Sequence, residues 1–121
     1  MENVRPFWLA GKATTSDNVG QIKHPGDGRV VGQHYVPNAA QVEQAVAAAY
    51  AARGEFQATT AALRSEVLTH VANEISKRAE ELARLITDEN GKPLTWARSE
   101  VSRATLTFKW AAEEEIGRAH V

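Results

Sequence analysis

The side-chain period of this chain changes at Pro37-Asn38, and every strand-like run lies before that point. Ahead of it, residues 7–10 (Phe-Trp-Leu-Ala) read as a short strand closing in a turn at Gly11-Lys12, and residues 14–18 read as a polar loop. Residues 19–23 and 29–36 flank Pro25-Gly26-Asp27-Gly28, whose proline and glycines suit a reversing turn between antiparallel strands. Beyond Asn38 the period is helical. Asn38 is a cap candidate with Gln41 three residues on, and the alanine-rich run 39–53 forms a helix stopped by Gly54. Thr60 caps a second helix running to about Lys77, with Leu63, Val67, Leu68, Val71 and Ile75 on one stripe. Leu82, Leu85 and Ile86 share a face between Ala79 and Asp88, so the helix either continues past Ser76 or kinks there. Gly91 then suits a helix C-terminus that needs positive φ, Pro93 suits a helix start, and Leu94, Ala97, Val101, Ala104, Phe108 and Ala111 step by three and four along a further helix. The inventory is one hairpin region, 7–36, and three or four helices, 39–114. It offers no strand after Val36 for the helical faces to cover, and so looks incomplete for a self-sufficient domain.

Composition narrows the function classes. The formal charge of −1 and the lack of any long run of like charge give no electrostatic reason to expect nucleic acid. With 43% hydrophobic and 24% charged residues the chain reads as globular, and residues 1–10 hold no apolar run long enough for a signal peptide or membrane span. A cytoplasmic protein with no membrane partner is therefore expected. There is no cysteine, which removes disulfides, thiolate metal sites and a cysteine nucleophile together. His24, His34, His70 and His120 have no second histidine at i+3 or i+4 and no cysteine to join them, so no metal site is expected.

The ordered set Pro25-x-x-Gly28-x-Val30, an alanine-rich helix, Arg64 opening a long helix, Glu89-x-Gly91-Lys92-Pro93, Glu100-Val101 and Phe108-x-x-Ala111-Ala112-Glu113-Glu114 resembles the N-terminal portion of aldehyde dehydrogenases over nearly the whole chain. One departure is visible: His24 stands before the hairpin proline where the family usually has asparagine. The resemblance implies an α/β parent enzyme with a Rossmann-type cofactor domain. It implies oxidation of an aldehyde to a carboxylic acid with NAD or NADP, through a cysteine nucleophile and a glutamate base, in a homo-oligomer. The family's cysteine, glutamate base, oxyanion-stabilising asparagine and glycine-rich dinucleotide segment have no counterpart in these 121 residues. Thiolate attack cannot be supplied by another residue type, so the chain alone is expected to be inactive and to bind neither cofactor.

Residues 116–121, Ile-Gly-Arg-Ala-His-Val, are what translation of the sequencing-adapter text ATC GGA AGA GCA CAC GTC yields, after a glutamate codon ending in AG. Residues 1–114 are accordingly expected to be the native segment and 115–121 a non-native tail.

Among single residues, Arg103 is the candidate for substrate contact. Family members that handle anionic aldehydes are similar in carrying an arginine at the corresponding place near the mouth of the substrate tunnel, and a guanidinium fork can hold a carboxylate, phosphate or sulfonate bidentately. The competing role is an i,i+3 ion pair with Glu100. Glu89 falls where the helical stripe points inward and is expected to be a structural carboxylate, bonded to turn amides or a basic side chain. Lys92 and Gly26-x-Gly28 lack the surroundings of a phosphate loop or dinucleotide fingerprint. Trp8, Trp96 and Trp110, with Phe108, are expected to be packing anchors. The alternative to an enzyme segment is a stand-alone helical module that binds a partner through Leu63, Val67 and Val71, or through Val101, Ala104 and Phe108.

Overall fold

The computed structural model describes residues 4–118, which form two compact units divided between Ala58 and Thr59.

The first unit holds four strands and a helix. β1 (Phe7–Leu9) and β2 (Lys12–Thr14) pair as an antiparallel hairpin around Ala10-Gly11, so part of the stretch read as turn and polar loop is a second strand. Both turn residues have positive φ, 49° at Ala10 and 78° at Gly11, the arrangement whose twist matches a two-residue hairpin. The signal was weak because alanine is a poor occupant of that region. β3 (Asn18–Lys23) and β4 (Val30–Val36) pair antiparallel in register Asn18↔Val36 to Ile22↔Gly32, and the register slips by one residue before Lys23↔Val30. His34 lies opposite Gly20, where a Cβ would come 2.8 Å from the imidazole. Arg5 joins the outer side of β4, its amide donating to Gln33 O (2.9 Å) and its carbonyl accepting from Tyr35 N (3.0 Å).

Helix α1 (Ala39–Gln57) begins on the expected capping box: Asn38 Oδ1 accepts from Gln41 N (2.9 Å) and Gln41 Oε1 accepts from Asn38 N (3.0 Å). The same Gln41 donates from Nε2 to Thr15 O (3.0 Å), fastening the helix start to the loop before β3. Gly54 does not stop the helix. Its carbonyl accepts from Ala58 N (3.2 Å), and the cost of about 1 kcal/mol for an interior glycine is carried by the surrounding alanines. No residue of α1 is buried.

The second unit is helical. α2 (Ala61–Lys77) starts at Thr60, whose hydroxyl accepts from Leu63 N (3.2 Å). The chain kinks at Arg78 (φ −101°, ψ 16°), so α3 (Ala79–Asn90) is a separate helix. α3 ends on Gly91 at φ 74°, whose amide donates to Thr87 O (2.9 Å), and α4 (Leu94–Arg118) follows Pro93. α2 packs along α4, and α3 packs on the first half of α4. Among the described residues the buried ones are Ser65, Ala72, Ala83, Ala97, Val101 and Ala112. These small side chains let the helix backbones approach closely. The inward face of α2 centres on Ser65 and Ala72; of the expected stripe Leu68, Val71 and Ile75 are half-buried, while Leu63 and Val67 are exposed. Trp8, Trp96 and Trp110 are exposed rather than packed, and only Phe108 of that group is half-buried. Of the stretch read as translated adapter, 115–118 continue α4; residues 119–121, with His120, lie outside the described residues.

Candidate functional site

The joint between α3 and α4 collects most of the candidate residues, and local bonds explain its shape. Asn90 Oδ1 accepts from Lys92 N (2.9 Å), a side-chain turn that leads the chain from Gly91 towards Pro93. The expected structural carboxylate, Glu89, has no such role. It is exposed, at the edge of a groove of about 240 Å³ lined also by Ile75, Leu82, Leu85, Ile86 and Val101. The amide-binding task falls to Asn90, which the Asn-x-Lys spacing signalled and the sequence reading passed over.

Lys92 Nζ forms an ion pair with Glu100 across the start of α4. That hydrogen bond holds the Glu100 carboxyl below its ordinary range, with the charges of Lys92 and then Arg103 adding to the effect. Lys92 is thus a clamp on the first turns of α4 rather than a phosphate ligand. Glu100 is already engaged by Lys92, and Arg103 does not form the competing i,i+3 pair with it.

Arg103 is exposed on α4, and its guanidinium makes no hydrogen bond or ion pair among the described residues. Its carbonyl accepts from Thr107 Oγ1 (3.0 Å), so the backbone is held while the fork remains unpartnered. Trp96 and Trp110, seven residues to either side, share this exposed side of α4. A five-donor fork on such a face suits a planar anion.

Arg64 is fixed at the other end of the unit. Its Nη1 donates to Thr59 O (2.6 Å) and its Nε to Glu115 Oε2 (2.9 Å), which tethers the start of α2 to the end of α4. Arg98 bonds Glu80 through both Nε and Nη2 (2.9 Å each), tying α3 to α4 and depressing the Glu80 carboxyl. These are structural roles.

The remaining candidates are dispersed. Gly26 and Gly28 lie in the β3–β4 turn, and Gly91-Lys92 lies between two helices, so neither pair opens a helix after a strand as a dinucleotide cradle does. His24 is in the turn, His34 in β4 and His70 in α2; among the described residues no three metal-ligating side chains meet. At the departure from the family pattern, His24 Nδ1 accepts from Gly26 N (3.0 Å), the bond an asparagine oxygen would make there.

A sequence model of the aldehyde dehydrogenase family matches residues 12–119. The chain is 35% identical over 110 residues to 3,6-anhydro-alpha-L-galactose dehydrogenase of Streptomyces coelicolor, covering 89% of this chain and 22% of that protein. It is 34% identical over 93 residues to the NADP-dependent succinate-semialdehyde dehydrogenase of Escherichia coli, covering 77% of this chain and 19% of that protein. Among solved structures, aldehyde dehydrogenase 21 from Physcomitrella patens, in complex with the reaction product succinate, is similar with a TM-score of 0.87 and 34% identity over 92% of this chain and 23% of that one. The chain spans about a fifth of the length of the curated relatives it matches.

Proposed function

This chain belongs to the aldehyde dehydrogenase family, and from that membership we propose that it is the N-terminal portion of an NAD(P)-dependent enzyme oxidising an aldehyde to a carboxylic acid. The observation that carries the reading is the match across 12–119 set against the small share of each relative that is covered.

Within that enzyme the segment is a scaffold. Its helices α3 and α4 are clamped by Arg98–Glu80, Lys92–Glu100 pins their joint to α4, and the sequence holds no cysteine to serve as the nucleophile of that reaction. That task falls to the rest of the polypeptide, and the chain alone is inactive. The exposed apolar side chains support the same reading. Val42, Val46 and Tyr50 of α1, Leu63 and Val67 of α2 and Trp96 and Trp110 of α4 are exposed, surface that the rest of the enzyme would cover.

Arg103 is the proposed substrate contact, reading the anionic end of an aldehyde such as a semialdehyde carboxylate. What supports it is the unpartnered fork on an exposed helix face, together with relatives named for semialdehydes. A cytoplasmic location and homo-oligomeric assembly of the whole enzyme belong to the same proposal, the first supported by the ordinary charge and hydropathy of the chain. Reading the genomic DNA onward from the codon for Glu114 tests the proposal. An open frame that continues into a glycine-rich segment and a cysteine is expected. A frame that closes within a few codons on genomic, non-adapter sequence refutes it and leaves the helical interaction module.

A further inference from the structure

The turn joining β3 to β4 is closed by backbone bonds from Gly28 N to His24 O and from His24 N to Arg29 O, both 2.9 Å. Inside that ring, Nδ1 of His24 lies 3.0 Å from the amide nitrogen of Gly26 and 3.3 Å from Oδ1 of Asp27. One ring nitrogen carries either a lone pair or a proton. With the lone pair it accepts from Gly26 and has nothing to offer the carboxylate. With a proton it donates to Asp27 and can no longer accept from Gly26. The two contacts are alternatives selected by whether Nδ1 of His24 carries a proton.

The surrounding turn holds both partners in reach. A Cβ on Gly26 would come 3.0 Å from His24 Cε1 and 3.3 Å from Nδ1, so a glycine is what allows the ring to lie over the amide. Gly28, at φ 74°, supplies the reversal. Asp27 is positioned without help from His24: its Oδ1 accepts from Arg29 N (3.1 Å) and its Oδ2 lies 3.4 Å from Arg29 Nε. The backbone bond from Arg29 is the main reason its carboxyl lies below the ordinary value, and the charges of His24 and Arg29 lower it further. Asp27 therefore stays an anion throughout the range in which histidine changes charge. Among the described residues the charged groups facing His24 are Asp27 and, behind it, Arg29, both in the turn itself.

We propose that this turn is a two-state, pH-sensitive element in which protonation of His24 exchanges the Gly26 N–H···Nδ1 bond for an Nδ1–H···Asp27 ion pair while the β3–β4 register is kept. The backbone ring and the Asp27–Arg29 contacts are common to both states. The exchange is local, and the amide of Gly26 reports it.

Long-range proton–nitrogen spectra of the isotope-labelled 121-residue chain, followed from about pH 8 to about pH 5, read both states. At the upper end His24 is neutral with its proton on Nε2, and the Gly26 amide is downfield with a shallow temperature coefficient. On acidification the imidazolium signals appear and the Gly26 amide moves upfield in step with them, losing its hydrogen-bonded temperature coefficient. In His24→Asn, whose side-chain oxygen accepts at every pH, the Gly26 amide stays fixed over the same range. A neutral His24 carrying its proton on Nδ1 overturns the proposal. So does a Gly26 amide that titrates equally in His24→Asn.

Discussion

Replacing Val101 by alanine tests how the helical unit is packed. Val101 is 4% exposed and sits against Ala83 and Ala97, with Ile75, Leu82, Ile86 and Leu94 around it. The substitution removes two buried carbons, a transfer cost of about 1.6 kcal/mol at ~0.8 kcal/mol per methylene. The cavity contribution is small, because those partly buried neighbours line an open groove and can close over the gap. Alanine returns about 0.5 kcal/mol of helix propensity. The expected loss is thus about 1–1.5 kcal/mol. Val67, at 54% exposed, sits on the stripe that hydropathy alone would turn inward. Val67→Ala gives up about half the transfer term and regains the same propensity, for a net change of about zero. Urea unfolding of both variants, followed by far-ultraviolet circular dichroism, measures the difference through the midpoint at constant slope. A Val67→Ala loss equal to or larger than that of Val101→Ala would show that the Leu63–Val67 stripe faces the core and refute the packing described.

Three further outcomes follow from single contacts. Ala10→Asn should stabilise the β1–β2 hairpin by about 0.5–1 kcal/mol, since Asn-Gly accepts the two positive φ angles that alanine resists; an unchanged or lower melting temperature of the strand signal contradicts it. The Glu80 carboxyl is depressed, chiefly by its hydrogen bond from Arg98. The folded-state value therefore lies below the unfolded one, so the stabilisation is present above the ordinary carboxylate value of 4.5 and is lost as pH falls through the folded value. Stability measured against pH should then show a steeper acid limb in the parent chain than in Arg98→Ala, with the two curves converging at low pH; a constant offset at every pH rules this out. In a complete enzyme carrying this segment, Arg103→Ala should lower kcat/KM for an anionic semialdehyde by about 10-fold or more, the loss expected for a charge-assisted hydrogen bond. A neutral aldehyde of similar size should be unaffected, and equal losses on both remove Arg103 from the substrate.

Helix starts and stops were legible because each is written in one or two residues with a direct bonding task. Asn38 with Gln41, Thr60, and Gly91 with Pro93 all act as their positions implied. The inward faces were less legible. On α4 the stripe Leu94, Ala97, Val101, Ala104, Phe108 and Ala111 does turn inward, but on α2 and α3 the closest contacts are made by Ser65, Ala72 and Ala83, small residues that a hydropathy stripe weighted by valine and leucine does not pick out. The larger apolar residues, Leu63, Val67, Trp96 and Trp110, lie on surfaces this chain leaves open, so a reading that assumed a finished core turned them inward. Gly54 misled for a related reason: its cost is about 1 kcal/mol, and a run of alanines absorbs it. At the joint, Glu89 drew attention as an acid on an apolar stripe, but the turn is held by Asn90, whose oxygen needs only the amide two residues on. The pairing of Lys92 with Glu100 spans eight residues and a helix start, a separation at which sequence spacing gives no geometry. Arg103 could be placed on its helix from sequence; that it leaves Glu100 to Lys92 could not.

The most direct test is a chimera in which residues 12–114 of this chain replace the matching segment of the Escherichia coli succinate-semialdehyde dehydrogenase, assayed for NADP reduction beside the chain alone. The chimera is predicted to fold and oxidise succinate semialdehyde, and the chain alone to produce no reduced cofactor. Turnover by the chain alone, or a folded chimera without activity, would contradict the account.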